Sequence, residues 1–339
     1  MTTLRDGFEW PLSEIEIVAF GSATAKRVGL QSATSRPSPT AALRLENHKG
    51  TYDLITMTPD QINAVYQNLC QRTLNPAELK RRLDSVVSNF TAVDAVLYLP
   101  MYSMGMGQAG ITRRIDALRA LPFTIEDAVS GRQTVADIEQ LAVVGGKEFG
   151  MRRRVEELFM RAKEISAYGT DRLATVLQPK KNWSLDDIVD PFTVLYTFTG
   201  VADKAALHIL MDLGWGVVKP DRHICRFVSR LGGQWKRYFP DGATDDLRPA
   251  LTLPFVRAWQ DACAPFSSSA LAPPPSRNGV MFPGVSELSS RQVDRLVMWY
   301  AQDRAKEEHE WRPKPVCGKQ PDCQSCSVQD CDAREQDSA

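Results

Sequence analysis

The chain has 339 residues, 43% hydrophobic and 24% charged, the proportions of an ordinary globular protein with room for two domains or one elaborated domain. Lys and Arg total 41, as do Asp and Glu, so any nucleic-acid surface has to be a local patch, and net charge argues neither for nor against DNA. The N-terminus MTTLRDGFEWPLSE holds no apolar run of signal-peptide length, and no stretch approaches the roughly 18–20 apolar residues of a membrane span; the expected location is cytoplasmic.

In chain order, EIEIVAF (14–20) and AALRLENHKGTYDLITM (41–57) carry strand-like runs, the second broken by a turn around 47–50. Helical signals dominate afterwards. Thr58-Pro59-Asp60 places a cap residue before a proline at the first helical position and predicts a helix to Cys70. PAELKRRLDSVVSNF (76–90) sets Leu79, Leu83, Val86 and Val87 on one stripe. VDAVLYLP (93–100) reads as strand-like. Helices are further expected over 111–121, 134–144, 150–167, 184–197, 203–213, 221–231 and 288–310, and an irregular loop over 264–284, which is rich in Pro, Ser and Gly. The pattern predicts a mainly α protein with a small mixed α/β N-terminal addition. Its expected parts are residues 1–74, 75–232 and 233–339.

Three stretches carry chemistry. In the first, residues 184–197 and 203–213 are two helices joined by Phe198-Thr199-Gly200-Val201-Ala202, a helix-hairpin-helix. The first amides of a helix have no intrahelical partner, and with the positive end of the helix dipole they can hold a phosphate oxygen without reading sequence. Lys204 sits in that first turn, where the ordinary role is solvation and the sharper one is an amine nucleophile. Asp221 follows Pro220 at the start of the next helix. It is placed as a cap, and capping amides favour an ionised carboxylate able to stabilise an oxocarbenium-like sugar or activate a nucleophile.

In the second stretch, Cys317, Cys323, Cys326 and Cys331 follow the spacing C-x5-C-x2-C-x4-C. Crowded cysteines in a reduced compartment point to metal rather than to disulfides. Spacing alone leaves an iron–sulfur cluster and zinc both open. In the third, GMGQAG (105–110) is a literal G-x-G-x-x-G between a strand-like and a helical run, with Glu126 near the distance of a ribose-binding acid. This admits a dinucleotide-binding rival through Gly105 and Gly107, yet the later chain lacks the alternating strands of a parallel sheet. Lys147, Arg152, Arg153 and Arg154 form a further basic patch that is either a solvated helix face or a phosphate contact.

FTGVADK and KPDRHI resemble the hairpin L-P-G-V-G-x-K and the following V-D-x-H of the helix-hairpin-helix DNA glycosylase superfamily. Gly200, Val201 and Lys204 match the hairpin, Asp221 the catalytic aspartate and His223 the histidine after it. Thr199 stands for the proline, Ala202 for the second glycine, and Lys219-Pro220 for the apolar residue before the aspartate. The four cysteines, after the helix SSRQVDRLVMWYAQDRAKEEHEW, resemble the C-x6-C-x2-C-x5-C of endonuclease III-like members, one residue shorter in each outer gap. The resemblance covers roughly 75–335. It implies the two-domain helical glycosylase fold, a 4Fe–4S cluster on Cys317, Cys323, Cys326 and Cys331, and double-stranded DNA with a damaged or modified base as partner of a monomeric enzyme at the bacterial nucleoid. Gly200, Val201, Ala202, Lys147, Arg152, Arg153 and Gln108 are the expected DNA contacts, Gln108 or Met104 filling the gap left by a flipped base. Tyr98, Tyr102 and Tyr196 are either stacking partners for that base or core residues. Asp221 is the expected catalytic carboxylate, and Lys204 the attacking group of a bifunctional glycosylase with AP lyase activity. The departures from the pattern raise a second target, a hypermodified phage base such as glucosylated hydroxymethylcytosine, excised as a defence. A non-catalytic DNA-binding module is the remaining alternative.

Overall fold

Cap residues decide where most helices begin. In a computed structural model the described residues are 2–4, 8–10, 59–85, 90–102, 123–141, 151–180, 183–239, 244–248, 251–263, 278–284, 287–302, 310–328 and 331. The fold is mainly α. Contacts divide the chain into two compact units, Met1–Thr40 with Asn89–Leu213, and Ala41–Ser88 with Gly214–Ala339. The division at 213/214 differs from the expected 232. The helices before residue 85 belong with the C-terminal elements, whereas the sequence reading assigns residues up to 74 to a separate addition.

The first unit contains a two-stranded antiparallel hairpin, β1 (Thr2–Leu4) and β2 (Phe8–Trp10). Its helices are α3 (Ala92–Tyr98), α4 (Ile125–Ser130), α5 (Val135–Leu141), α6 (Met151–Tyr168), α7 (Thr170–Val176), α8 (Leu185–Tyr196) and α9 (Asp203–Asp212), with a 3-10 turn over Leu99–Tyr102. Here α6 is central and packs on α3, α4, α5 and α7. Its Val155, Leu158, Ala162 and Ile165 recur at helical spacing and are fully buried. Phe159 meets Phe123 edge-on at 5.3 Å. α8 begins with a capping box between Ser184 and Asp187.

The strand-like reading of 93–100 is overturned: the segment is α3 and the 3-10 turn. Ala95, Val96, Leu97 and Tyr98 are all buried, and a short continuous apolar run looks the same in a buried strand and a buried helix. The Thr91 side chain, accepting from the Asp94 amide at 3.1 Å, starts the helix. The dinucleotide reading therefore loses the strand it needs before GMGQAG. Residues 105–110 themselves, with Gln108, lie outside the described residues, as do Met104, Lys147, the strand-like runs 14–20 and 41–57, and the helix expected over 111–121.

The second unit contains α1 (Pro59–Arg72), α2 (Pro76–Asp84), α10 (Arg222–Leu231), α11 (Thr252–Cys263) and α12 (Ser290–Ala301). A 3-10 turn spans Gly233–Arg237. α12 starts with a capping box of Ser289 and Gln292, and packs on α1, α2 and α10. Its Val293, Leu296, Val297 and Tyr300 are buried, and Tyr300 meets Phe227 edge-on at 6.1 Å. Trp235, Tyr238, Phe239, Phe255 and Trp259 form a contiguous aromatic cluster. No helix of the described residues is long and apolar enough to cross a membrane.

Candidate functional site

The hairpin turn lies in the first unit and is clamped from α6. Gly200 has φ +78, the left-handed conformation that glycine adopts freely. A Cβ there would come within 3.1 Å of the Glu157 carboxylate and 3.3 Å of the Arg161 guanidinium. The Arg161 side chain, fully buried, donates from Nη1 to Thr199 O at 3.0 Å and from Nε and Nη2 to Leu97 O at 3.1 and 2.9 Å. Burial lowers its pKa to about 10 while Glu157 opposes the shift, so it is a cation at neutral pH. Glu164, one turn on, accepts from the Thr199 amide and hydroxyl, each at 2.7 Å.

These bonds explain one departure from the family pattern. A proline at position 199 has no N–H; threonine supplies two donors, and Glu164 takes both. Glu164→Ala leaves that amide and hydroxyl without their acceptor and is expected to cost about 2 kcal/mol, read as a lower urea midpoint at unchanged m-value. The second departure costs nothing in backbone strain. Ala202 has φ −110 and ψ 179, ordinary extended backbone that any residue adopts.

Ala202, at the N-cap of α9, has no side-chain oxygen to offer the first turn. Lys204 is half-buried there, beside the acidic Asp203. Val201 is buried, so a ligand at the turn would meet its backbone and not its side chain.

Asp221 lies in the second unit, as the cap of α10. Its Oδ1 accepts from the amides of His223 at 2.9 Å and Ile224 at 3.2 Å. Its Oδ2 stands 3.3 Å from Lys219 Nζ, and each of the two side chains is 22% exposed. Burial pushes the carboxyl up, but Lys219, His223 and the two amides outweigh it and hold Asp221 below the usual carboxylate range. The result is an ionised carboxylate, fixed through one oxygen and within reach of a ligand. Burial holds His223 below its ordinary value against the pull of Asp221. Asp294 of α12 is a second acid in this neighbourhood: burial raises it, the Asp221 charge adds to the rise, and Arg291 and Lys219 oppose it.

The four cysteines close the second unit. Cys317 is buried and Cys323, Cys326 and Cys331 are half-buried. Arg230, near the end of α10, donates from Nη1 to Cys317 O at 2.9 Å, to Cys317 Sγ at 3.3 Å and to Gly318 O at 2.6 Å. The Cys331 thiol lies 3.1 Å from Arg230 O, and Tyr300 Oη lies 3.1 Å from Cys326 Sγ. Burial pushes the Cys317 thiol up to about 11; Arg230 opposes the rise, while Cys326 and Cys331 add to it. Cys326 and Cys331 are thus within electrostatic reach of Cys317. The loop is tied to α1 as well, through Asn68 Nδ2 to Ser325 O at 3.0 Å and Ser327 Oγ at 2.8 Å. Among the described residues no group of three or more His, Cys, Asp or Glu is placed to hold one metal ion. A cubane asks for a different arrangement, since each thiolate binds its own iron and the sulfurs stand farther apart than around one ion. The donor set, four thiols in a short loop with N–H and O–H groups aimed at two of them, suits that group.

Other expected residues are placed as follows. Arg152 and Arg153 are exposed on α6, paired one turn on with Glu156 at 3.3 Å and Glu157 at 3.1 Å. Tyr98 and Tyr196 are core residues, not stacking surfaces, and nothing is described of the Tyr102 side chain. The sequence reading missed Arg161 and Glu164, although two charges on the apolar stripe of α6 were a signal. It also missed Arg230, Tyr300 and Asp294, whose roles depend on helix packing. Comparison with models of protein families, with curated proteins and with solved structures returned no match.

Proposed function

We propose that the chain is a helix-hairpin-helix DNA glycosylase with a C-terminal 4Fe–4S cluster, cleaving the N-glycosidic bond of a damaged or modified base extruded from duplex DNA. The observation that carries this reading is the Asp221 carboxylate, held ionised at the head of α10. It follows a hairpin of the family's pattern and precedes four clustered cysteines. In the reaction the C1′–N bond breaks and its electron pair leaves with the base. Asp221 faces the positive charge that develops on the sugar, where a preorganised anion is most effective. Water then adds at C1′ and its proton goes to the departing base, or the neutral amine of Lys204 adds instead, its proton going to the base, and the C1′–O4′ bond opens with transfer of the second amine proton to O4′, leaving a Schiff base that permits strand cleavage. The turn 198–202 and the start of α9 grip a phosphate, and Arg152 and Arg153 add salt-sensitive contacts.

When bound, the cluster organises the C-terminal loop. Cys317, Cys323, Cys326 and Cys331 hold it, with Arg230 and Tyr300 bonded to two of the sulfurs. Protein purified without oxygen is expected to contain about four irons and four sulfides per chain; zinc in their place would contradict the assignment. The function itself is tested by incubating the protein with oligonucleotides bearing oxidised pyrimidines or mismatches, and with phage DNA bearing glucosylated hydroxymethylcytosine. Abasic sites in either support the reading, and their distribution identifies the target class. Borohydride trapping on the active DNA reports whether Lys204 or water attacks. Duplex binding with no abasic sites across the panel favours a non-catalytic module.

A further inference from the structure

Lys219 stands where the glycosylase pattern has no cation, and the structure shows what it touches. The segment before α10 is anchored by Val217 and Val218, both fully buried, and by the buried Pro220. The Asp221 amide donates back to Lys219 O at 2.7 Å, a tight turn that brings the two side chains to the same place. Lys219 Nζ then meets Asp221 Oδ2 at 3.3 Å, while the two helix amides occupy Oδ1. Asp294, fixed in α12 with its side chain 5% exposed, bonds Arg291 Nη1 through Oδ2 at 3.2 Å. Its Oδ1 is buried without a hydrogen-bond partner, and it lies within electrostatic reach of both Lys219 and Asp221.

We propose that Lys219 is a positioning residue for the reaction above: it holds the second oxygen of Asp221 by an ion pair. The inference rests on Asp221 being the reacting carboxylate. With Oδ1 committed to the helix, Oδ2 is the oxygen left to face the sugar. Between turnovers the ammonium gives Oδ2 the positive partner that the sugar provides in the transition state. The carboxylate therefore stays charged and aligned in a half-buried place where an acid would otherwise take up a proton. Lysine suits this role because its compact charge rides on a flexible stem and can withdraw when substrate arrives.

The charged groups around Asp221 are Lys219 and His223 from its own segment and Asp294 from α12, with Arg291 and Arg295 beside Asp294. Lys219 and His223 favour the ionised form of Asp221, and Asp294, when charged, disfavours it. Loss of Lys219 thus moves protonation of Asp221 to higher pH.

The test uses the full chain with Lys219→Met, which keeps the stem and removes the charge, and Lys219→Arg, which keeps the charge. The expected result is that Lys219→Met slows base release more at pH 5 than at pH 8, changing the ratio of the two rates by about tenfold, and that Lys219→Arg restores the wild-type ratio. A carboxyl-carbon NMR titration of Asp221 reads the same effect without any substrate, moving to higher pH in Lys219→Met alone. An unchanged ratio and titration in Lys219→Met, with base release intact, overturn the proposal and leave the glycosylase reading standing. A titration that moves while the wild-type protein releases no base from any DNA overturns the glycosylase reading instead, and with it the catalytic role of the pair.

Discussion

Asp221→Asn is expected to lower base release by about 10²–10³-fold, the loss typical of removing one preorganised electrostatic group. Duplex binding should change by less than about threefold. The substitution separates charge from structure. Asparagine is as good a helix cap as aspartate, so the two amide bonds to His223 and Ile224 survive and α10 keeps its start. What disappears is the negative charge beside Lys219, at the only carboxylate oxygen not committed to the helix. A variant that folds, binds DNA and keeps full activity would show that Asp221 is a cap and nothing more.

The largest expected effect on stability comes from Arg161→Met, about 3 kcal/mol. The methionine fills much of the volume but leaves Leu97 O and Thr199 O, both served by the guanidinium, without their donors. It also leaves Glu157 without its buried neighbour. Arg161→Lys should recover less than half of the loss. One ammonium lacks the planar fork that reaches two carbonyls from different segments. The measurement is urea unfolding, and a loss below about 1 kcal/mol would mean that the clamp on the hairpin is ornamental. Because Thr199 O belongs to the turn, the Arg161 variants are also expected to weaken duplex binding, which Asp221→Asn does not.

Local sequence carried a large part of this. Asp221 and the Thr58-Pro59 start each announce a helix in the sequence, and the helices expected over 184–197 and 288–310 open on the capping boxes of Ser184 and Ser289. α6 was legible because Val155, Leu158, Ala162 and Ile165 repeat at helical spacing. α3 was not, since four consecutive buried apolar residues carry no period. The short α4 and α7 were too brief to show one. At the site, the cap role of Asp221 followed from its place after proline. Lys219 was visible as a departure from the pattern, but its partner was not, because an ion pair across a tight turn depends on backbone direction. Asp294, Arg230 and Tyr300 reach their places only through the packing of α10 on α12, which sequence periodicity does not specify. Position 199 teaches the reverse lesson. A threonine where the glycosylase pattern has proline looks like a mismatch until Glu164 is seen to take both of the threonine's donors.

The proposed reaction breaks N-glycosidic bonds in DNA through Asp221. Mass spectrometry of the free bases released from varied genomic and phage DNAs tests it most directly, with wild type and Asp221→Asn run side by side. One class of free base is expected from the wild-type reaction and almost none from the variant. Intact DNA in both, from protein that carries its cluster and binds duplex, would contradict it.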